Sequence, residues 1–259
     1  MRTICVINLK GGVGKTTTVI NMAAILARQG KRVLVIDADP QANATSFYGL
    51  DGNICNTLDD LMEDPHFDPY QLIYQARHTN MEVLPASINL INADIASVRD
   101  GGKYGVIRGL LTSLQESAAP DESYDFVLID CPPSFTAASV AAIYAADDVI
   151  IPVEMDVFGL TGMAHLLKQI ESVRFIKPRI RIAGALITKW HNSPAVIQGE
   201  EELRKSAVPV FRTVIRRSDK VTEAGFKCLT LDAYSSRSSA GQDYRALVAE
   251  YLEGVPQYG

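Results

Sequence analysis

Cysteine is scarce and scattered. Cys5, Cys55, Cys131 and Cys228 form no C-x-x-C pair, which argues against a zinc ribbon or a disulfide framework and suits reduced, packed thiols. No apolar run approaches the ~18 residues of a membrane span, so no spanning helix is expected. The opening "MRTICVINLK" lacks the basic, apolar, then small-residue order of a secretory signal, and a cytoplasmic protein is expected. Internal repeats, low-complexity tracts and a linker are also missing. Aromatic residues make up only 7% and charged residues 21% of the chain, ordinary values for a globular protein.

What is present is enough for one large core. The 259 residues are 47% hydrophobic, and a single domain over 1–259 is expected. Apolar, β-branched runs recur at 3–9, 32–37, 81–86, 125–130, 147–153, 180–188 and 208–215. Helical patterns fall between them, over Thr16–Gln29, Val106–Glu116, Phe135–Ala146, Leu160–Ile176, Ala195–Ser206 and Ala240–Leu252. Continuous apolar strands alternating with helices predict an α/β fold, a doubly wound, mostly parallel sheet with helices on both faces. Ligands of such sheets lie beyond the carboxyl ends of the strands. Residues 43–80 read as a helical insertion over one edge, least regular within 43–73.

The net charge of −5 is unevenly spread. Residues 1–167 carry 10 basic against 20 acidic side chains, and residues 168–259 carry 15 against 10. A basic C-terminal third is compatible with a solvated face or with an acidic partner such as nucleic acid.

The densest chemical signal is "NLKGGVGKTTT" at 8–18, between a strand and a helix. Gly11, Gly12 and Gly14 are expected to accept positive φ and let backbone amides approach a polyphosphate, with the helix dipole behind them. In such a loop, Lys10 to Thr17 with Val13 cradle the phosphates, Lys15 reaches the β- and γ-phosphates, and Thr16 ligates Mg²⁺. Glycines that merely turn the chain would leave "GKTT" at the helix start unexplained. The usual G-x-x-x-x-G-K-[ST] pattern fails at its first glycine, where Leu9 stands, and the match is to a variant that begins with Lys10. Lys10 is either solvated or, if two chains pack face to face, a cation given to the other chain's nucleotide. A cation supplied in trans is worth about 10³ to 10⁵ in rate where an arginine plays that part.

Two more stretches end strands in carboxylates. "VIDADPQAN" delivers Asp37 and Asp39 before Pro40, and "FVLIDCPPS" delivers Asp130 after four apolar residues, the pattern of an Mg²⁺-holding Walker B aspartate. Asp37 belongs to the magnesium shell or to the loop. Cys131 leaves a rival open, because the nitrogenase iron protein shares the loop and holds an iron–sulfur cluster between subunits, which takes thiolates at the dimer face.

Together, "KGGVGKTT", "VLVIDADPQANAT", "DFVLIDCPPS" and "GQDYRALVAEYL" resemble the deviant Walker ATPases, and among them the ParA partition ATPases, over nearly the full length. The resemblance implies ATP and Mg²⁺ as cofactors and an ATP-bound homodimer in which Lys10 acts across the interface. It makes Asp39 the residue that orients or activates the attacking water. It implies non-specific double-stranded DNA and a ParB-like centromere-binding protein as partners, and a nucleoid-associated location. The candidate DNA contacts are Lys189, Arg204, Lys205, Arg216, Arg217, Lys220, Lys227, Arg237 and Arg245. Lys220 in "IRRSDKVTEA" and Arg237 in "YSSRSSAG" match positions where relatives carry basic residues; "GFKCLT" and "KWHN" depart from the pattern. The acidic end "YRALVAEYLEGVPQYG" is unlike the basic amphipathic helix of MinD-like relatives, so no membrane is expected as a partner. The chain begins at the first strand, so no N-terminal helix-turn-helix is expected. His191 reads as a loop histidine.

Overall fold

The computed structural model describes residues 1–50, 52, 54–76, 81–93, 104–119 and 122–254, those at 157–162 by backbone alone. Seven strands form one sheet: β1 (Arg2–Val6), β2 (Val33–Asp37), β3 (Tyr74–Gln75), β4 (Glu82–Leu84), β5 (Phe126–Asp130), β6 (Asp148–Glu154) and β7 (Arg181–Thr188). They lie in the order β3-β4-β2-β5-β1-β6-β7, and every pairing is parallel except the edge pair β3/β4. The helices are α1 (Lys15–Arg28), α2 (Asn43–Phe47), α3 (Leu58–Glu63), α4 (Val106–Ser117), α5 (Ala137–Ala145), α6 (Val157–Ile176), α7 (Pro194–Lys205), α8 (Asp219–Phe226), α9 (Leu231–Ser235) and α10 (Ser239–Glu253).

The period-two alternation of the strands sorts the core into two layers. Leu34, Ile36, Val127 and Ile129 face the layer built with α4 and α5. Val33, Val35, Phe126 and Leu128 face α1 and α10 on the other side. β2 and β5 are buried along their whole length because they are covered on both faces. Truncating one such side chain to alanine costs about 2–5 kcal/mol. The alternation also fixes where the strand-ending carboxylates lie. Asp37 follows Val33 and Val35, and Asp130 follows Phe126 and Leu128, so both fall on the α1 side of the sheet.

Two sequence expectations need correction, and two short helices carry none. The run at 208–215 is no regular strand. It lies along β7, where Ala185 N donates to Pro209 O and Phe211 N to Ala185 O, and Ile215 N then reaches Ile187 O. The segment takes four residues, 211 to 215, to pass two of β7, so the ladder cannot continue. Gly184 permits the close pass, because a Cβ there would meet the Phe211 ring at 3.0 Å. The insertion is not wholly helical either: beyond α2, α3 and a 3₁₀ turn at Pro69–Gln71, it adds β3 to the sheet edge. Residues 51, 53 and 77–80 of it lie outside the described residues. Finally, α8 and α9 lack an expectation, being too short for a helical period to show. Serine and threonine caps start them, with Ser218 accepting from Lys220 N and Thr230 from Ala233 N.

Candidate nucleotide site

The glycine loop leaves the end of β1 and enters α1. Gly12 (φ 74°) and Gly14 (φ 88°) occupy the left-handed region, whereas Gly11 does not, contrary to the expectation for all three. An added Cβ at Gly11 would meet no protein atom within 4 Å, so the structure gives no packing reason for glycine there. Among the described residues no side chain caps the start of α1, and its first turn carries no acidic residue. Its leading amides are therefore available to an anion.

Neighbouring strands grip the loop. Asn8, fully buried, donates to Pro152 O at 2.7 Å and accepts from Lys10 N at 3.0 Å. Thr188 at the end of β7 donates to Val13 O at 2.9 Å. Neither residue was marked by sequence; a polar residue buried at a strand end is the signal that points to them.

The two lysines diverge. Lys15 is buried and donates from Nζ to Lys10 O at 3.0 Å. Burial lowers its pKa, opposed by the charges of Asp130 and Asp39. Lys10 instead turns its side chain to Asp156, just past β6, in a partly exposed ion pair. Such pairs are worth about 0–1 kcal/mol, so Lys10 is cheaply released.

Asp37 and Asp130 end adjacent strands in register, both fully buried. Asp37 spends its oxygens on the loop that follows it: Oδ1 accepts from Asp39 N at 3.1 Å, and Oδ2 from Thr45 N and Thr45 Oγ1, each at 2.8 Å. Burial pushes its pKa up to about 6 against those hydrogen bonds. Asp130 differs, because neither of its oxygens has a hydrogen-bond partner among the described residues. Burial first, then the Asp37 charge, raise its pKa well above the usual carboxylate range; the nearby Thr16 hydroxyl and the Lys15 charge oppose the rise. Asp39 is 6% exposed and accepts from Gln41 N at 2.9 Å through Oδ1.

An orphaned buried carboxylate near the first hydroxyl of α1 fits a hard divalent cation. The described residues contain no cluster of three acidic, histidine or cysteine side chains that would cage a metal alone. Thr16 and Asp130 with phosphate oxygens and waters make the donor set Mg²⁺ takes. A cluster on Cys131 is unsupported: Cys131 does have a cysteine neighbour, Cys5, with sulfurs 3.4 Å apart, but both are buried and burial drives the Cys131 thiol up, away from thiolate.

A cleft of about 400 Å³ continues from the loop, lined by Gly12, Thr17, Thr188, Lys189, Arg217 and Asp219 among others. Its size suits a nucleoside. His191 sits on this cleft and its Nδ1 contacts Lys189 O at 3.1 Å, as a loop histidine does.

The candidate DNA residues gather about α8 and α9. Lys220 and Lys227 both lie over the Tyr234 ring, 5.9 and 4.9 Å from its centroid, and Lys220 also pairs with Glu223. Arg217 precedes α8 and Arg237 follows α9; among the described residues neither side chain has an ion-pair partner. Arg204, Arg216, Arg245 and Lys189 pair with Glu200, Asp243, Asp232 and Glu154. No helix among the described residues is long and apolar enough to cross a membrane.

A family described as an AAA domain matches residues 1–182. The chain is 36% identical to the chromosome-partitioning ATPase Soj of Thermus thermophilus, over 99% of this chain and 98% of that protein. It is similar in structure to a McdA–ATP complex from Cyanothece, with TM-score 0.84, 27% identity and coverage of 100% and 98%. It is also similar to cobyrinic acid a,c-diamide synthase from Mycobacterium smegmatis with bound ATP analog and magnesium, with TM-score 0.82, 26% identity and full coverage of both chains. The sheet order, the gripped glycine loop and these likenesses agree: the chain belongs to the ParA family of P-loop partition ATPases.

Proposed function

We propose that ATP with Mg²⁺ brings two copies of this chain together, that the pair binds duplex DNA without sequence preference, and that hydrolysis stimulated by a ParB-like partner releases it. The observation that carries this reading is the divergence of the two loop lysines. Lys15 is committed to the buried site, whereas Lys10 stands at its mouth in a weak surface pair, ready to serve a nucleotide held by a facing copy.

In this account the amides of Gly11 to Thr17 hold the phosphates and Lys15 exchanges its carbonyl partner for the β- and γ-phosphates. Thr16 and Asp130 would hold Mg²⁺, which would supply charge neutralisation for phosphoryl transfer. Asp37 locks the segment that carries Asp39, and Asp39 orients the attacking water. The cleft beside Thr188 and Lys189 would take the base. The face around α8 and α9, with Arg217, Lys220, Lys227 and Arg237, meets the DNA backbone.

Titrating duplex DNA with and without ATP tests the reading. Contacts to about four phosphates give a log–log salt slope of about −3.6. A response that ignores both ATP and salt would reject DNA as the partner and favour a non-DNA cargo or a metabolic substrate on the same scaffold.

A further inference from the structure

Phe226, the last residue of α8, is 86% exposed. A single apolar side chain in water is ordinary on a protein surface, so exposure alone assigns it nothing. Its setting is what sets it apart. Behind its own turn lies a cavity of about 370 Å³, walled in part by Gly225, Cys228 and Leu229 with Ile20, Phe47 and Leu231. The Phe226 ring takes no part in that wall and stands in water instead.

Positive charge is gathered beside the ring. Lys227 follows it directly and holds its ammonium 4.9 Å from the Tyr234 centroid, and Lys220 reaches the same ring at 5.9 Å. Tyr234 is itself fixed, because its hydroxyl donates to Glu223 at 2.6 Å. Lys227 makes no ion pair among the described residues, and Arg217 and Arg237 flank α8 and α9 in the same condition. Phe175 is more exposed still, but the lysine beside it, Lys177, is folded onto the carbonyls of Tyr144 and Ala146 at 2.8 and 2.6 Å. An aromatic side chain held in water among cations fits a partner that is anionic outside and apolar within, as stacked duplex DNA is.

We propose that Phe226 is an apolar wedge of the DNA-binding face, its ring entering between two base pairs and partly unstacking them while the basic side chains around it hold the phosphates. The proposal rests on the DNA reading above. Phosphate offers an aromatic ring nothing, whereas the base stack offers it an apolar surface, and side chains of this kind kink duplexes when they insert. The wedge reads no base. It favours steps that unstack cheaply, pyrimidine–purine steps and mismatches, so the face prefers deformable DNA over any one sequence. Because the ring neutralises no phosphate, its contribution is independent of salt.

The test measures anisotropy of the full chain with ATP on two labelled duplexes, one fully paired and one with a central mismatch. Wild type is expected to bind the mismatched duplex about 10-fold more tightly, since the unstacking cost is already met there. Phe226→Ala should weaken binding to both, lose the preference, and keep the wild-type salt slope and melting temperature; Phe226→Trp should retain the preference, and Phe175→Ala should match wild type. A wild type indifferent to the mismatch, or a Phe226→Ala chain that keeps the preference or loses affinity only through a shallower salt slope, would overturn the wedge while leaving DNA as the partner. Vesicles of phosphatidylserine and phosphatidylcholine form the last arm: uptake that depends on Phe226, with DNA binding unaltered by the substitution, would assign the ring to lipid and overturn the proposal. A wild-type chain that binds neither duplex with ATP would overturn the DNA reading and this inference with it.

Discussion

Asp37 and Asp130 stand side by side at the ends of two parallel strands, and the molecule treats them oppositely: Asp37 is saturated with three hydrogen bonds, while Asp130 has none among the described residues. A buried charge without a partner costs stability, and such costs concentrate where a ligand is to be met. Asp130→Asn should therefore raise the melting temperature of the nucleotide-free chain, by about 2–4 °C for each kcal/mol relieved, and abolish Mg²⁺-dependent tightening of ATP binding. Calorimetry with and without Mg²⁺·ATP checks both halves.

The same pair sets a pH dependence. The folded-state pKa of Asp37 lies near 6, above its ordinary 3.8, so the folded chain holds the extra proton. Its contribution to stability is complete below about 3.8 and is lost as pH rises through about 6. In the wild type the Asp37 charge that appears over this range repels Asp130, and with Asp130→Asn that repulsion is gone. The stability gap between variant and wild type should widen between pH 5 and pH 7, read as the difference in melting temperature at each pH.

The loop glycines separate by mechanism. Gly14→Ala forces a side chain into φ 88°, with Thr188 Cγ2 3.9 Å away in ordinary contact, so strain alone should destabilise the chain by about 1–2 kcal/mol. Gly11→Ala meets no protein atom and should leave the nucleotide-free melting temperature alone while weakening ATP binding. The single tryptophan, Trp190, follows the cleft-lining Lys189 and offers an intrinsic fluorescence signal for both titrations.

On the DNA face, Arg217→Ala and Arg237→Ala should each weaken ATP-dependent binding and make the salt slope shallower by about 0.9 for every phosphate no longer neutralised. Lys220→Ala should do less, because Glu223 already holds that ammonium. Fluorescence anisotropy over a salt series reads each slope.

Much of the fold and site is legible in the sequence, and the parts that are not have physical reasons. β1, β2 and β5 are covered on both faces, so they announce themselves as unbroken apolar runs, and the glycine loop announces itself by spacing. The carboxylates Asp37 and Asp130 can be placed at strand ends, and Asp130 can be read as the Walker B aspartate, but whether Asp37 serves the magnesium shell or the loop depends on Thr45, eight residues beyond it. Asn8 and Thr188 grip the loop through contacts 144 and 175 residues apart in sequence, which no local pattern carries. The run at 208–215 has a strand's composition, but only the spacing of its contacts with β7 shows that it cannot pair regularly.

The central claim is that Lys10 works on the nucleotide of the facing copy. Mixing Lys10→Ala, which keeps its own Asp39, with Asp39→Ala, which keeps its own Lys10, gives mixed pairs in which one site has both groups only if the lysine crosses. Each variant alone should be inactive in stimulated ATP hydrolysis, with Asp39→Ala trapped as an ATP-bound dimer by light scattering. The account predicts that the mixture recovers hydrolysis; a mixture as inactive as its two components, with mixed dimers present, would contradict it.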